Sequence, residues 1–212
     1  MTREHHPRTH LLRAALLAAV APLLLACGDD APRTTTVSDP PPRPSSVPAA
    51  DGEVVTVLPA LVIDDGGGTE ICLGAVAESY PPQCSGPELR DWDWAEHEGD
   101  YEEAAGQRFS TFLVRGTWDG TAMTATAIAP GSGSTPFEQE PPPVPAEGPA
   151  RSEEQLRGIA EDLLAIEGML DASPEGGRVI AHAVHDDGTV QQWADDTYGE
   201  GVVVVSSALE PA

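Results

Sequence analysis

Two proline-rich segments limit how much of this chain can form regular structure. The first lies at residues 40–44 and the second at residues 141–145, where it follows a Gly-Ser-Gly-Ser run. Proline fixes its own backbone angle and has no N–H to donate, so neither segment fits a helix interior or a central strand. The regularly patterned sequence is therefore confined to the regions between and after them.

This division predicts two folded regions and two connecting segments. In order they are a disordered Pro-rich tether at 27–52, a β domain at 53–130, a Pro/Gly-rich linker at 131–151 and a C-terminal α/β module at 152–212. A module of some 60 residues buries little surface by itself, so we expect it to pack on the β domain.

The first folded region has the pattern of antiparallel strands. Apolar and β-branched residues are concentrated at 54–63 and 69–76, and the segments 108–118 and 121–129 flank Asp119-Gly120. An Asp-Gly pair between two such segments is typical of a two-residue type I′ hairpin turn. We predict a small antiparallel β-barrel or sandwich, with an OB-like barrel as one form of it.

The second region begins with a helix signal. Ser152 and Gln155 have the spacing of a capping box, in which each side chain satisfies a free backbone amide of the other. A second capping box at 189–192 predicts another helix that ends at Gly199, and a hairpin at Asp187-Gly188 is its rival. With strands at 178–185 and 202–206, the region is an α-β-α-β module, and the whole chain is of α+β class.

The N-terminus has the pattern of an export signal. Three arginines precede an apolar run of roughly a dozen residues, which is too short to span a bilayer. The run ends in Leu24-Leu25-Ala26-Cys27, which resembles the lipobox of bacterial lipoproteins. That resemblance implies that residues 1–26 are removed as a signal peptide, and that Cys27 carries diacylglycerol and fatty acyl chains such as palmitate. It also implies an exported protein anchored to the outer face of the cell membrane.

The two remaining cysteines fit the exported compartment. Once Cys27 is assigned to lipid, Cys72 and Cys84 form an even pair in an oxidising environment, which favours a disulfide. In the chain-entropy model, a loop of this length stabilises the fold by roughly 3 kcal/mol. The segments around Cys72-Leu73-Gly74 and Tyr80-Pro81-Pro82 also resemble uncharacterised actinobacterial lipoproteins, a resemblance that implies no activity.

Charge excludes several kinds of partner. The chain has 11 basic and 35 acidic residues, a net charge of −24, and no lysine. Such a chain repels nucleic acid phosphates and has no polybasic segment for anionic lipid headgroups. We therefore expect no nucleic acid partner and no membrane contact except through Cys27, while an envelope protein or a cell-wall ligand stays open as a partner.

One acidic and aromatic segment is the strongest candidate for a metal or ligand site. Its carboxylates could offer oxygen ligands to Ca²⁺, although they lack the spacing of an EF-hand loop. A solvated loop above buried tryptophans is the simpler interpretation, and we assign neither a metal nor a cofactor. The weak metal candidates are Asp91, Asp93, Glu96, Glu98 and Asp100, and the weak binding candidates are Trp92, Trp94 and His97.

Catalytic motifs do not stand out. His182 and His185 are three residues apart, so on one strand they would face opposite sides and could not share a metal ion. Neither a Gly-x-Ser-x-Gly motif nor a His-Glu-x-x-His motif occurs, and no catalytic residue is assigned. The sequence favours a lipid-anchored, non-enzymatic binding or accessory module of the cell envelope. The alternative is an envelope hydrolase with an unrecognised carboxylate or histidine site.

The lipid anchor is directly testable. We expect the Cys27→Ser chain to lose radiolabelled fatty acid and to leave the membrane fraction, because acyl chains on that sulfur are the predicted attachment. If Cys27→Ser protein fractionates with membranes and takes up as much label as the wild type, the lipobox interpretation is wrong.

Overall fold

Strands outnumber helices in the described part of the chain. The computed structural model describes residues 41–130 and 148–212, so residues 1–40, with the predicted signal peptide and Cys27, and residues 131–147 of the predicted linker lie outside it. The helices are α1 (Glu153–Leu164), α2 (Thr189–Tyr198) and a short 3-10 helix at Trp94–His97. The strands are β1 (Glu53–Thr56), β2 (Ala60–Asp64), β3 (Thr69–Cys72), β4 (Leu89–Arg90), β5 (Glu102–Ala104), β6 (Gln107–Trp118), β7 (Met123–Pro130), β8 (Met169–Glu175), β9 (Arg178–Ala183), β10 (Val203–Ser207) and β11 (Leu209–Pro211). The predicted α+β class is confirmed.

The long strand β6 holds the first sheet together. One of its edges pairs with β1 and β2, and the other pairs with β5 and β7, all antiparallel. β1 and β2 share an edge because only residues 57–59 separate them, and Pro59 has no N–H to contribute to a ladder. β3 pairs with β2, and β4 pairs with β7 in parallel. Within the described residues, these ladders do not close into a complete barrel.

The C-terminal strand returns to this first sheet. β11 pairs antiparallel with β1, so that Thr56 lies opposite Leu209 and Val54 opposite Pro211. β10, which immediately precedes β11, belongs to a separate three-stranded sheet in the order β10-β9-β8. The chain passes from one sheet to the other at Ala208, and the described residues, 41–130 and 148–212, belong to one compact unit. The two regions separated by sequence pattern therefore share a hydrophobic core.

The last residues of the predicted tether are packed on the fold. Val47 is only 2% exposed, its N–H donates to the Glu167 carbonyl at 2.8 Å, and the Glu167 N–H donates to the Ser45 carbonyl. The Pro48 carbonyl accepts from the Trp118 indole at 3.0 Å. Proline has a free carbonyl although it lacks an N–H, so a Pro-rich segment can accept hydrogen bonds while its extended form lies along aromatic side chains.

Helix α1 begins as the sequence predicts. The Ser152 hydroxyl accepts from the Gln155 N–H at 3.3 Å, and the Gln155 side-chain oxygen accepts from the Ser152 N–H at 2.9 Å. Both halves of the capping box are present, which satisfies two donors that a helix start leaves free.

Helix α2 is observed in place of the rival hairpin, but it is capped differently from the prediction. Its N-cap residue is Gly188 at φ 101°, and Thr189 forms no capping box. The Asp186 carboxylate supplies the cap, because its two oxygens accept from the Val190 and Gln191 N–H groups at 2.9 and 3.1 Å. The helix ends before Gly199, as predicted.

Strand β8 was not expected from the sequence. The composition of residues 173–177 predicts the end of a helix, yet β8 pairs antiparallel with β9 up to Glu175, and Gly176-Gly177 forms the turn between them. Both glycines have positive φ, 58° and 84°, which is the backbone conformation of a two-residue hairpin turn. The module is thus α-β-β-α-β rather than α-β-α-β before β11.

The hairpin between β6 and β7 is observed with a longer turn than predicted. Trp118 pairs with Met123, which leaves the four residues 119–122 in the loop. The Asp119 carboxylate accepts from the backbone N–H groups of Thr121 and Ala122 and from the Thr121 hydroxyl. These hydrogen bonds, together with one from Arg90, hold the pKa of Asp119 well below its ordinary range. Hydrogen bonds to the Asp119 side chain therefore stabilise a four-residue loop in place of the predicted two-residue turn.

Gly168 lies against Val47 of the packed segment 41–50, so a substitution at Gly168 tests that packing. This residue has φ +89°, and a Cβ there would clash with a Val47 methyl group, so we expect Gly168→Ala to lower the free energy of unfolding by about 1–3 kcal/mol. Chemical denaturation of the two purified proteins measures the difference.

Gly158 is the matched control. It lies in α1 with open space where a Cβ would be, so Gly158→Ala should raise stability by about 0.5–1 kcal/mol through helix propensity. Equal effects of the two substitutions would contradict the packing of Val47 on the fold.

Candidate functional site

Of the tryptophans in the acidic segment, Trp94 is a core residue and the half-buried Trp92 packs against the core. Trp94 is 4% exposed and its indole N–H donates to the Thr69 hydroxyl at 3.2 Å. Trp92 packs edge-on against Trp94 and Phe112, with ring centroids 5.4 and 5.1 Å apart. The His97 ring lies 4.5 Å from the Trp92 centroid, on the same aromatic cluster. Because these rings pack against one another, they do not form an open platform for binding a ligand.

The carboxylates of the same segment are spread over the surface. Asp93 is the N-cap of the 3-10 helix, where its side chain accepts from the Ala95 N–H at 2.9 Å. Asp91, Glu96, Glu98 and Asp100 are exposed. In residues 41–130 and 148–212, no group of three or more His, Cys, Asp or Glu side chains is placed to hold a metal ion.

A large groove lies beside this segment. Its volume is about 1610 Å³, and its lining includes Asp100 but not Trp92, Trp94 or His97. One wall comes from the first sheet and its loops, and the other comes from β8, β9 and β10. The groove therefore exists only because the two sheets share one core.

The wall on the first sheet is apolar and open to solvent. Leu58 is 70% exposed and Val76 is 41% exposed, and both line the groove. Leu58 lies between β1 and β2, next to Pro59, where the ladder to β6 is interrupted. Large apolar side chains held in solvent along a groove mark a surface for binding.

A disulfide joins the ends of the loop beside Val76. Cys72, at the end of β3, is bonded to Cys84, and their Cα atoms are 6.1 Å apart. The predicted disulfide is confirmed. Within this loop, the Ala77 N–H donates to the Gln83 carbonyl at 2.8 Å, which further restricts the groove wall.

The opposite wall carries a row of polar side chains. Asp171 on β8 lies opposite His182 on β9, and His182 is in register with Ser206 on β10. The Ser206 Oγ and the His182 Nδ1 are 2.7 Å apart. Directly paired residues of neighbouring strands face the same side of a sheet, so this row crosses the sheet on its groove side.

The other side of the same sheet faces the core. Val179, Ala181 and Ala183 alternate with His182 along β9 and are fully buried. His185, beyond the end of β9, is 4% exposed, and its Nδ1 lies 3.0 Å from the Leu209 carbonyl. The two histidines are therefore separated by the structure, with His182 in the groove and His185 in the core.

Comparison with known proteins returned no match of this chain to a family model, a curated protein or a solved structure. None of the helices described at residues 41–130 and 148–212 is both long and apolar enough to cross a bilayer. The geometry of the groove is thus the basis for any functional conclusion.

The polar row was missed because its members are far apart in sequence. Ser206 ends the run Val202–Val205, which predicts a buried strand, and the histidine nearest to His182 in sequence is His185. One available signal is that His182 is a single polar residue within the apolar run 179–183, because a polar side chain in such a strand often faces solvent or a site.

Tyr80 and Glu102 form a titratable pair near the groove rim. The Tyr80 hydroxyl donates to the Glu102 carboxylate at 3.2 Å, and this hydrogen bond, followed by the negative charge of Glu102, raises the pKa of Tyr80. Because the folded-state pKa is raised, the contribution to stability is present below the ordinary tyrosine pKa of about 10 and is lost as pH rises through the folded value.

We expect Glu102→Gln to return the pKa of Tyr80 toward its ordinary value, because the substitution removes the charge. Nuclear magnetic resonance of labelled tyrosine across alkaline pH measures the shift. Glu103→Gln is the control, since neighbouring residues on β5 face opposite sides. An unchanged Tyr80 titration in Glu102→Gln would contradict the pairing.

Proposed function

We propose that this chain is a lipid-anchored binding or accessory module of the cell envelope, and that its groove binds a neutral molecule with an extended acyl chain. The anchoring part of the proposal is supported by the lipobox-like sequence ending at Cys27. The Cys72–Cys84 disulfide supports an exported protein, because disulfides persist in oxidising compartments.

The exposure of Leu58 and Val76 in the groove is the observation that carries the ligand assignment. Covering an apolar side chain of this size gains roughly 1.5–3 kcal/mol, so a ligand that reaches both residues gains affinity mainly from apolar contact. A groove of about 1610 Å³ exceeds the roughly 300–1,000 Å³ of ordinary small-molecule pockets, which favours a long ligand.

Charge and tether length favour a neutral lipid as that ligand. A net charge of −24 repels polyanions and other acidic ligands. From Cys27 to Pro41 the chain has 41 − 27 = 14 residue steps, which at about 3.5 Å each reach at most about 50 Å. A protein anchored at Cys27 is thus kept close to the bilayer, where acyl chains are abundant.

We also propose that the first sheet is an OB-like barrel left partly open. Five strands follow one another in the order β2-β3-β4-β7-β6, and β6 pairs again with β2. The step from β3 to β4 rests on an isolated bridge between Glu70 and Glu88 rather than on a full ladder. A partly open five-stranded barrel of this kind is typical of the OB fold. The acidic surface argues against the oligonucleotide ligands that many such folds bind.

Binding can be measured with a fluorescent monoacylglycerol and the full chain in detergent micelles. We expect Leu58→Asp to weaken binding by about tenfold or more, because a charge replaces an apolar contact worth at least about 1.4 kcal/mol. The concentration dependence of fluorescence anisotropy gives the affinity.

Leu164→Asp is the matched control. Leu164 is 48% exposed on α1 and does not line the groove, so its substitution should leave the affinity unchanged. Absence of saturable binding by the wild type, or equal losses in both variants, would contradict the proposed ligand site.

A further inference from the structure

We propose that the polar row of the groove hydrolyses carboxylic esters of acyl chains, with Ser206 as the nucleophile, His182 as the general base and Asp171 as a positioning residue. The choice of substrate rests on the proposed acyl-chain function of the groove. The chain would then be the envelope hydrolase that the sequence leaves as the alternative, with its active site in the groove.

The contact between Ser206 and His182 carries the proposal. A serine hydroxyl is a weak nucleophile until a base within about 2.6–3.2 Å accepts its proton, and the Oγ to Nδ1 distance is 2.7 Å. His182 is exposed and Ser206 is half-buried, so a substrate in the groove can reach both. Because both belong to the groove wall, the reacting group and the apolar wall share one cavity.

Asp171 is placed to select the tautomer of His182. For Nδ1 to accept the serine proton, the ring hydrogen must lie on Nε2, and a carboxylate beside the ring favours that arrangement. Asp171 lies directly opposite His182 in the β8–β9 pairing. Side chains at such positions have Cβ atoms about 4.5–5.5 Å apart, within reach of a short hydrogen bond after a side-chain rotation.

The edge of β10 that does not pair with β9 offers a donor for the negative oxygen that forms during attack. The Ala208 N–H donates to the Ala183 carbonyl of β9, so the N–H of the neighbouring Ser207 faces away from β9. The Val205 N–H on the same edge donates to the Gln191 side chain at 2.9 Å. A backbone N–H of the residue after the nucleophile is a common oxyanion donor in hydrolases.

The reaction proceeds in two balanced steps. The Ser206 Oγ attacks the ester carbonyl carbon and its proton passes to His182; the intermediate then expels the alcohol oxygen, which takes that proton, and the acyl group stays on Ser206. Water attacks the acyl group in the same way and gives a proton to His182. Cleavage of the acyl–Ser206 bond releases the carboxylic acid and returns the proton to Ser206. The sum is ester plus water to alcohol plus acid.

The test uses the purified full chain in detergent, a neutral p-nitrophenyl octanoate substrate and a fluorophosphonate probe that phosphonylates activated serines. We expect turnover of the ester and labelling of one serine, which peptide mass spectrometry assigns to Ser206. Ser206→Ala should lose both signals, and His182→Ala should lower kcat by about 100-fold or more.

Two variants separate chemistry from structural damage. Ser173→Ala changes an exposed serine on β8 of the same sheet, and its activity should equal that of the wild type. Asp171→Asn should lower kcat while leaving KM unchanged, because it alters the orientation of His182 and not the apolar contact with substrate.

The outcomes distinguish this proposal from the proposed function. Ser206→Ala should bind the fluorescent monoacylglycerol as tightly as the wild type while hydrolysing nothing. If the wild type binds that lipid but neither hydrolyses the ester nor reacts with the probe, the hydrolase proposal is overturned and the binding function stands. Labelling of a different serine, or full activity in Ser206→Ala, also overturns it.

Discussion

Strand β1 pairs with both β6 and β11, and these two ladders fix the relative position of the two sheets. β6 pairs along one edge of β1 and β11 along the other, so the first regular strand joins the end of the chain to the middle of the first sheet. Because β10 runs into β11 with only Ala208 between them, the position of β11 also sets the position of the second sheet. The groove between the sheets, and the placement of Ser206 in its wall, follow from that short connection.

The packed segment at residues 41–50 reinforces the same arrangement from the other end. Val47 contacts the region after α1 through Glu167, while Pro48 accepts a hydrogen bond from Trp118 on β6. At the start of the segment, the Pro41 carbonyl accepts a hydrogen bond from the Trp193 indole on α2. This segment contacts β6, α2 and the residues after α1, so fewer residues separate Cys27 from the fold than the predicted tether of 27–52 contains, and none of residues 41–50 lines the groove. The proposed anchoring at Cys27 is therefore compatible with the proposed ligand binding in the groove.

Local signals in the sequence predicted local structure well. The capping box of Ser152 and Gln155, the stop at Gly199, the disulfide of Cys72 and Cys84 and the existence of the β6–β7 hairpin are all observed. Each depends on residues a few positions apart, or on a pair with no competing partner. The errors were also local in origin: Asp186 rather than Thr189 caps α2, and Asp119 enlarges its turn, because short carboxylates compete effectively for free backbone N–H groups. The composition of the acidic segment 91–103 indicates a ligand site, yet Trp94 lies in the core and Trp92 packs against it.

The acidic charge, the α+β class, the lipobox-like pattern and the available cysteine pair can be read from the sequence, because these depend on composition and short-range spacing. Long-range contacts bring residues 41–130 and 148–212 onto one core, place Leu58 and Val76 in a common groove, and set Asp171, His182 and Ser206 in one row. The members of that row are 11 and 24 residues apart, from 182 − 171 and 206 − 182. Strand register brings them together, and register is set by the buried faces of β8, β9 and β10 against the helices rather than by any local motif.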